Sequence, residues 1–163
     1  MTDRPIIPIP KTKLEWLLDG LSLLALAVPT IYLFMIWGDL PAEVPIHFNA
    51  AGEADGWGGK GTSLILPIIG LLLFVGLSLL RKIPHHFNYP VTLTTENAEK
   101  KYRLSIQMLS WLKFEISLLF GFILWNLVRT AQDHAESMGW LMPVALAAIL
   151  GTTISYTVRI AKK

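Results

Sequence analysis

Residues 62–80, TSLILPIIGLLLFVGLSLL, contain no charged side chain. About 20 apolar residues in an α-helix cross a hydrocarbon core of about 30 Å. A lone strand of the same composition would leave its backbone N–H and C=O groups unpaired in lipid. The two-residue alternation of a membrane barrel strand is missing, so a transmembrane helix is predicted. Three further stretches read the same way, at about 14–37, 104–128 and 139–160. The expected fold class is therefore an all-α membrane protein, a bundle of four transmembrane helices. One integral membrane domain is expected over 1–163, with a loop at 38–61 between the first two helices and a connection at 81–103.

Composition agrees with the spans. The 163 residues are 53% hydrophobic and 16% charged, and the mean hydropathy is +0.50. A soluble domain carries about a quarter charged residues. The four helices leave too little chain for a separate soluble enzyme module. The absence of cysteine excludes disulfides, thiolate nucleophiles and Cys-ligated metal centres. A net charge of +2 gives no argument for nucleic acid, so none is expected as a partner.

The first span has a competing reading as a signal peptide, because Arg4, Lys11 and Lys13 precede it and Ala25-Leu26-Ala27 resembles a cleavage site. Asp19 interrupts the would-be apolar core, however, and apolar residues continue from Val28 to Trp37, so a retained helix is expected. Basic residues set the orientation. Arg4, Lys11 and Lys13, then Arg81, Lys82, Lys100, Lys101 and Arg103, then Arg159, Lys162 and Lys163 mark three segments. The loops between them hold only Lys60 and Arg129. This predicts a multi-pass protein of the plasma (inner) membrane, with both termini and the 81–103 connection in the cytoplasm and the 38–61 loop outside.

Charges at membrane depth are costly and mark candidate sites. Asp19, Lys113 and Glu115 are three such residues. Asp19 and Lys113 both lie toward the cytoplasmic side, so a structural ion pair is one expectation and proton relay another. Glu115 sits two residues from Lys113 and points to a different helix face. Thr152, Ser155 and Tyr156 on the last helix are its candidate partners. Ala147, Gly151 and Ser155 form a small-residue stripe suited to close helix approach, within the chain or in a homo-oligomer. In the cytoplasmic connection, Val91-Thr92-Leu93 shows brief strand alternation, and Thr94 or Thr95 is the expected N-cap of the run 96–103, where the third helix is expected to begin before it enters the bilayer. Adjacent His85 and His86 lack a third metal ligand, and a basic edge facing lipid headgroups is expected there.

The outer loop reads PIHFNAAGEADGWGGKG over 45–61. Val44, Ile46 and Phe48 alternate with Pro45, His47 and Asn49, which predicts a short strand, the start of a small β-hairpin. Ile46 and Phe48 are expected to be buried, with His47 and Asn49 on the opposite face. The glycines allow the loop to fold back so that Asp55 or Lys60 approaches His47, and Trp57 suits the bilayer interface. A phosphate-binding loop is excluded, because Gly61 follows Lys60 where Ser or Thr is required and Ala54 replaces the leading Gly. His47, Glu53 and Asp55 are weak candidates for a metal set, and His47 with Asp55 for acid–base work, although no nucleophile is recognisable. Two further readings stand: a surface that binds a ligand through His47, Asn49, Asp55, Trp57 and Lys60, or a rigid cap whose polar groups bond the loop's own backbone.

The run LPAEVPIHFNAAGEADGWGGK (40–60) resembles the signature of the domain of unknown function 1648 family. Leu40, Pro41, Pro45, His47, Phe48, Asn49, Gly52, Asp55, Gly56, Trp57, Gly58 and Lys60 match its pattern. Residues 87–104 are similar to the second connection of short members, through Asn88, Tyr89, Pro90, Asn97 and Tyr102. The resemblance implies a small bacterial or archaeal membrane protein. The same domain heads the SdpI-like immunity proteins, which protect against a secreted peptide toxin and signal to a repressor. This chain stops after four spans where those proteins continue into a further membrane half.

The expectation is thus a non-enzymatic sensor, binding or toxin-immunity-type protein acting through the 40–60 loop, without a cofactor or catalytic residues. Its candidate partners are the bilayer, an extracellular peptide or small ligand, and a cytoplasmic regulator. The alternative is a small transporter or lipid-handling protein centred on Asp19, Lys113 and Glu115. A weaker one is a metal-dependent enzyme at the outer face.

Overall fold

The computed structural model describes residues 4–49, 51–132 and 139–162; Lys163, used above in the charge distribution, lies outside them. Four helices are long and apolar enough to cross a membrane: α1 (Lys13–Met35), α2 (Ile65–Leu80), α3 (Ala98–Ala131) and α4 (Leu141–Ala161). A 3-10 turn, Lys60–Leu64, runs directly into α2 and lengthens that span. Between α1 and α2 lies a two-stranded antiparallel hairpin, β1 (Glu43–Phe48) and β2 (Ala54–Gly59). Leu17, Leu24, Ile31, Leu72, Leu146, Leu150 and Ile154 stand exposed. Outward apolar side chains of this kind are what lipid covers, so the chain is an integral membrane protein.

Local chemistry explains the helix ends. α1 starts at a capping box: Glu15 N–H donates to Thr12 Oγ1 at 3.2 Å, and Thr12 N–H donates to Glu15 Oε2 at 2.7 Å. α3 begins at Ala98, and its N-cap is Asn97, not the threonines expected from the sequence. Thr94 and Asn97 instead close a turn on each other, with Thr94 N–H on Asn97 Oδ1 (2.9 Å) and Asn97 N–H on Thr94 Oγ1 (3.3 Å). Residues 91–93 form no strand. Leu93 is drawn instead into a cluster with Ile9, Ala98, Tyr102 and Ile106. At 34 residues, α3 is about 51 Å long and projects beyond the hydrocarbon core.

α3 is the hub. It packs against α1 along its length and against both α2 and α4, while α1 and α2 touch each other much less. The closest crossing has a covalent cause. Pro29 lies inside α1 and has no N–H, so the Ala25 carbonyl has no i+4 amide to accept from. Gly121 of α3 sits against that carbonyl, and a Cβ added there would lie 2.0 Å from Ala25 O. Ser22 on α1 and Ser110 and Ser117 on α3 are buried, small residues that let the helices approach. Ser22 and Ser110 return their hydroxyls to the carbonyls of Leu18 and Ile106 in their own helices.

Among the described residues, nothing packs on the small-residue stripe expected on α4. Ala147, Gly151 and Ser155 are all exposed, and nothing lies within 4 Å of a Cβ built at Gly151. At the hairpin end, Leu33, Leu40, Val44, Leu124, Leu127 and Val128 form a buried cluster. At the opposite end, the N-terminal segment meets the 81–97 connection and the C-terminal segment meets the start of α3. Arg4 donates to the carbonyls of His85 (3.1 Å) and Phe87 (2.6 Å). Lys101, only 3% exposed, donates to Ile160 O at 2.7 Å and to Lys162 O, tying the last turn of α4 to the first turn of α3.

Gly121→Ala should therefore lower stability in detergent by about 1–3 kcal/mol or more, because the new methyl meets backbone, whereas Gly151→Ala should leave it unchanged. Thermal unfolding of the two purified variants beside the parent protein measures both.

Candidate functional site

The hairpin owes its shape to two compensating irregularities. Pro45 pairs with Trp57 and His47 with Gly56, so Ile46 is an extra residue on β1. His47 pairs with Gly56 and Phe48 with Ala54, so Asp55 is an extra residue on β2. The bulges break the simple alternation read from the sequence. Val44 and Pro45 are both buried, Ile46 is 52% exposed, and Phe48 is half-buried against the Leu33–Leu124 cluster. Ile46 and His47 lie across the glycines of β2. A Cβ at Gly56 would come within 3.0 Å of His47 Cβ, and one at Gly58 within 3.1 Å of Ile46 Cγ2. The turn between the strands contains Gly52 at φ 79°, a left-handed conformation suited to glycine.

The five loop side chains divide into two groups. Asn49 is absorbed by the turn: its Oδ1 accepts from the backbone N–H of Ala51 (2.9 Å) and Glu53 (3.0 Å), and its Nδ2 donates to Glu53 Oε2 at 3.0 Å. Lys60 holds the loop to the end of α1, donating to Trp37 O at 3.2 Å with its ammonium 5.4 Å from the Trp37 ring centroid. His47 and Asp55 face each other instead, through Nδ1 and Oδ1. Their side chains remain 70% and 43% exposed, and Trp57 is 51% exposed. Among the described residues, no group of three or more His, Asp or Glu side chains is placed to hold a metal ion.

His47 also borders a cavity of about 310 Å³. The cavity lies under β1, between the hairpin ends of α2, α3 and α4, with Ile65, Leu66, Ile123, Leu127 and Met142 supplying apolar walls. An exposed polar pair at the edge of an apolar recess can orient a bound molecule that buries its apolar part below.

The intramembrane residues form two separate centres. Asp19 lies between two lysines, with Lys11 Nζ 2.5 Å from Oδ2 and Lys113 Nζ 2.5 Å from Oδ1. Lys113 also donates to Ser78 Oγ at 3.1 Å, which links α1, α2 and α3. Beside this group, Arg81 donates to Glu15 Oε2 (3.3 Å) and to Ile9 O (3.2 Å). Glu115 stands apart and accepts from Thr152 Oγ1 at 2.6 Å, while its Oε2 is buried without a hydrogen-bond partner among the described residues. Sequence reasoning missed Lys11 and Glu15. Thr12 and Glu15 did carry a readable signal, the S/T-x-x-E pattern before an apolar run. No local pattern announces Arg81, whose partner is 66 positions away. Outside the spans, burial raises the Tyr89 phenol above its ordinary pKa; a hydrogen bond to Ser105 opposes the rise, as does the nearby charge of Arg4.

Residues 24–71 match the sequence profile of the family described as Domain of unknown function (DUF1648), which bears out the resemblance carried by residues 40–60. An uncharacterized protein of Archaeoglobus fulgidus is 33% identical over 93 residues, covering 52% of this chain and 51% of that protein. The chain thus spans about half the length of the curated relative it matches. No solved structure matches.

The two polar centres should respond differently to mutation. Asp19→Asn leaves two lysines facing an uncharged group at a buried position and should cost about 3–5 kcal/mol of stability. His47→Ala breaks an exposed pair and should cost no more than about 1 kcal/mol. Unfolding of both variants in the same detergent compares them directly.

Proposed function

We propose that this membrane protein is a non-enzymatic binding or sensor protein whose hairpin faces the outside of the cell and recognises a ligand there. The observation that carries this reading is the division among the loop side chains. Asn49 and Lys60 are used up in holding the loop, while His47, Asp55 and Trp57 stay accessible, His47 at the rim of the apolar cavity. A pair as exposed as His47–Asp55 adds little to stability, so its placement is better accounted for by recognition than by folding. The outward orientation is supported by the poverty of basic residues in the 38–61 loop and their concentration at the other end of the bundle. The resemblance to SdpI-like immunity proteins favours a secreted peptide as the ligand, with immunity or signalling as the outcome. The basic 81–103 connection is then the surface that meets a cytoplasmic regulator.

The transport alternative uses Asp19, Lys113 and Glu115 as a pathway. Its first two members are better explained as a clamp, because Asp19 is held by two lysines and Lys113 also by Ser78.

Two measurements test the proposal. The chain has no cysteine, so single cysteines report topology cleanly. Glu53→Cys should react with a membrane-impermeant maleimide in intact cells, and Lys82→Cys only after lysis; the reverse pattern overturns the orientation. In a deletion strain, His47→Ala and Asp55→Ala should fail to restore the parental phenotype that Glu115→Gln restores. Rescue by both loop variants, with failure of Glu115→Gln, would sink the recognition reading in favour of transport.

A further inference from the structure

The ligand's chemistry follows from what surrounds the cavity, given the recognition role proposed above. The walls contributed by Ile65, Leu66, Ile123, Leu127 and Met142 are apolar, and the recess lies where the hairpin meets the ends of three membrane helices. Its occupant therefore brings an apolar group and approaches along the membrane surface. The hairpin loop above the cavity has the opposite character, and it reaches the cavity's edge through Asp55, which faces the lining residue His47. In residues 38–61, Asp39, Glu43, Glu53 and Asp55 face a single ammonium, Lys60, which gives four negative charges against one positive with His47 neutral. All four carboxylates are on exposed residues, whereas Lys60 is half-buried and engaged with Trp37. Asp55 leans on His47 and Glu53 on Asn49, and neither has a cationic lysine or arginine partner among the described residues.

We propose that the cavity and the acidic loop above it bind a cationic amphiphilic peptide, one apolar side chain in the recess and several basic side chains against the loop carboxylates. An anionic lipid headgroup is repelled by this acidic loop, so the bilayer's own acidic lipids are the wrong complement for it. The carboxylates are distributed over both strands and the segment leading into them. A chain with several spaced cations matches that distribution better than a molecule with one charge.

The test uses the full chain in nanodiscs of zwitterionic lipid, with a fluorescent peptide of alternating lysine and leucine as the probe. The probe should bind loaded nanodiscs about tenfold more tightly than empty ones, and the gain should shrink as salt rises. Glu43→Gln, Glu53→Gln and Asp55→Asn combined should remove most of that gain, as should filling the cavity with Ile123→Trp. Met142→Trp closes the same recess from α4 and guards against a single misfolded variant. Equal binding of a glutamate–leucine peptide, or undiminished binding to both cavity-filled variants, overturns the proposal. Displacement of the probe by an anionic single-chain phospholipid as readily as by unlabelled peptide assigns the cavity to lipid and overturns it too. If these binding results fail while His47→Ala still abolishes rescue, the recognition role stands and only the ligand class is wrong. If His47 and Asp55 prove dispensable for rescue, both fall together.

Discussion

The bundle depends on a contact between two backbones. Pro29 deprives the Ala25 carbonyl of its helical donor, and Gly121 brings α3 close enough to cover the carbonyl that α1 leaves open. In lipid the hydrophobic effect does not press helices together, so packing distance decides which pairs hold. The close crossing positions α3 along α1. From that line follow the Asp19–Lys113 contact toward one end and the Leu33–Leu124–Val128 cluster toward the other. The hairpin rests on that second cluster through Val44 and Phe48, so the geometry of His47 traces back to a proline and a glycine more than 15 residues away from it in sequence.

Long-range features were legible in the sequence to the extent that the membrane imposes them. Span positions follow from length and apolarity, because lipid allows few alternatives to a helix. The start of α3 at Ala98 was legible too, inside the polar run 96–103 that looks like the first turns of a soluble helix, and only its capping residue differs. Glycine content and turn chemistry foretold a hairpin, and the meeting of His47 with Asp55 was one of two arrangements considered. Which side chains faced inward was not legible. The bulge at Ile46 turns that side chain outward and the one at Asp55 restores the register, so of the two residues expected inside only Phe48 packs against the bundle. The Asp19–Lys113 and Glu115–Thr152 contacts were among the arrangements the sequence offered, but the close-packing helix surfaces were hidden. The stripe on α4 has the residue types of a packing surface, yet the close approach uses Gly121 and the buried serines of α3. Composition marks a surface as capable of close packing and does not say which surface is used.

The hairpin reconciles two readings that the sequence left side by side. Holding the loop's shape and presenting a recognition surface fall to different residues. Asn49 saturates the turn's amides, Gly56 and Gly58 make room for the side chains of β1, and Lys60 fastens the loop to the last residues before it. Binding sites are precise when their polar groups are held by a separate supporting layer, and a loop of this length gains such a layer only by spending several of its own side chains.

The central position of α3 has a consequence for how the protein is made. Helices enter the bilayer in chain order, and α1 and α2 have few contacts to offer each other. The Gly121 crossing, the clamp on Asp19 and the seat of the hairpin all wait for the third helix to arrive. Until then Asp19 has Lys11 but not Lys113, and the hairpin's apolar underside lacks the Leu124, Leu127 and Val128 part of its seat. A ribosome paused between the second and third spans therefore leaves two helices in the membrane without the helix that joins them.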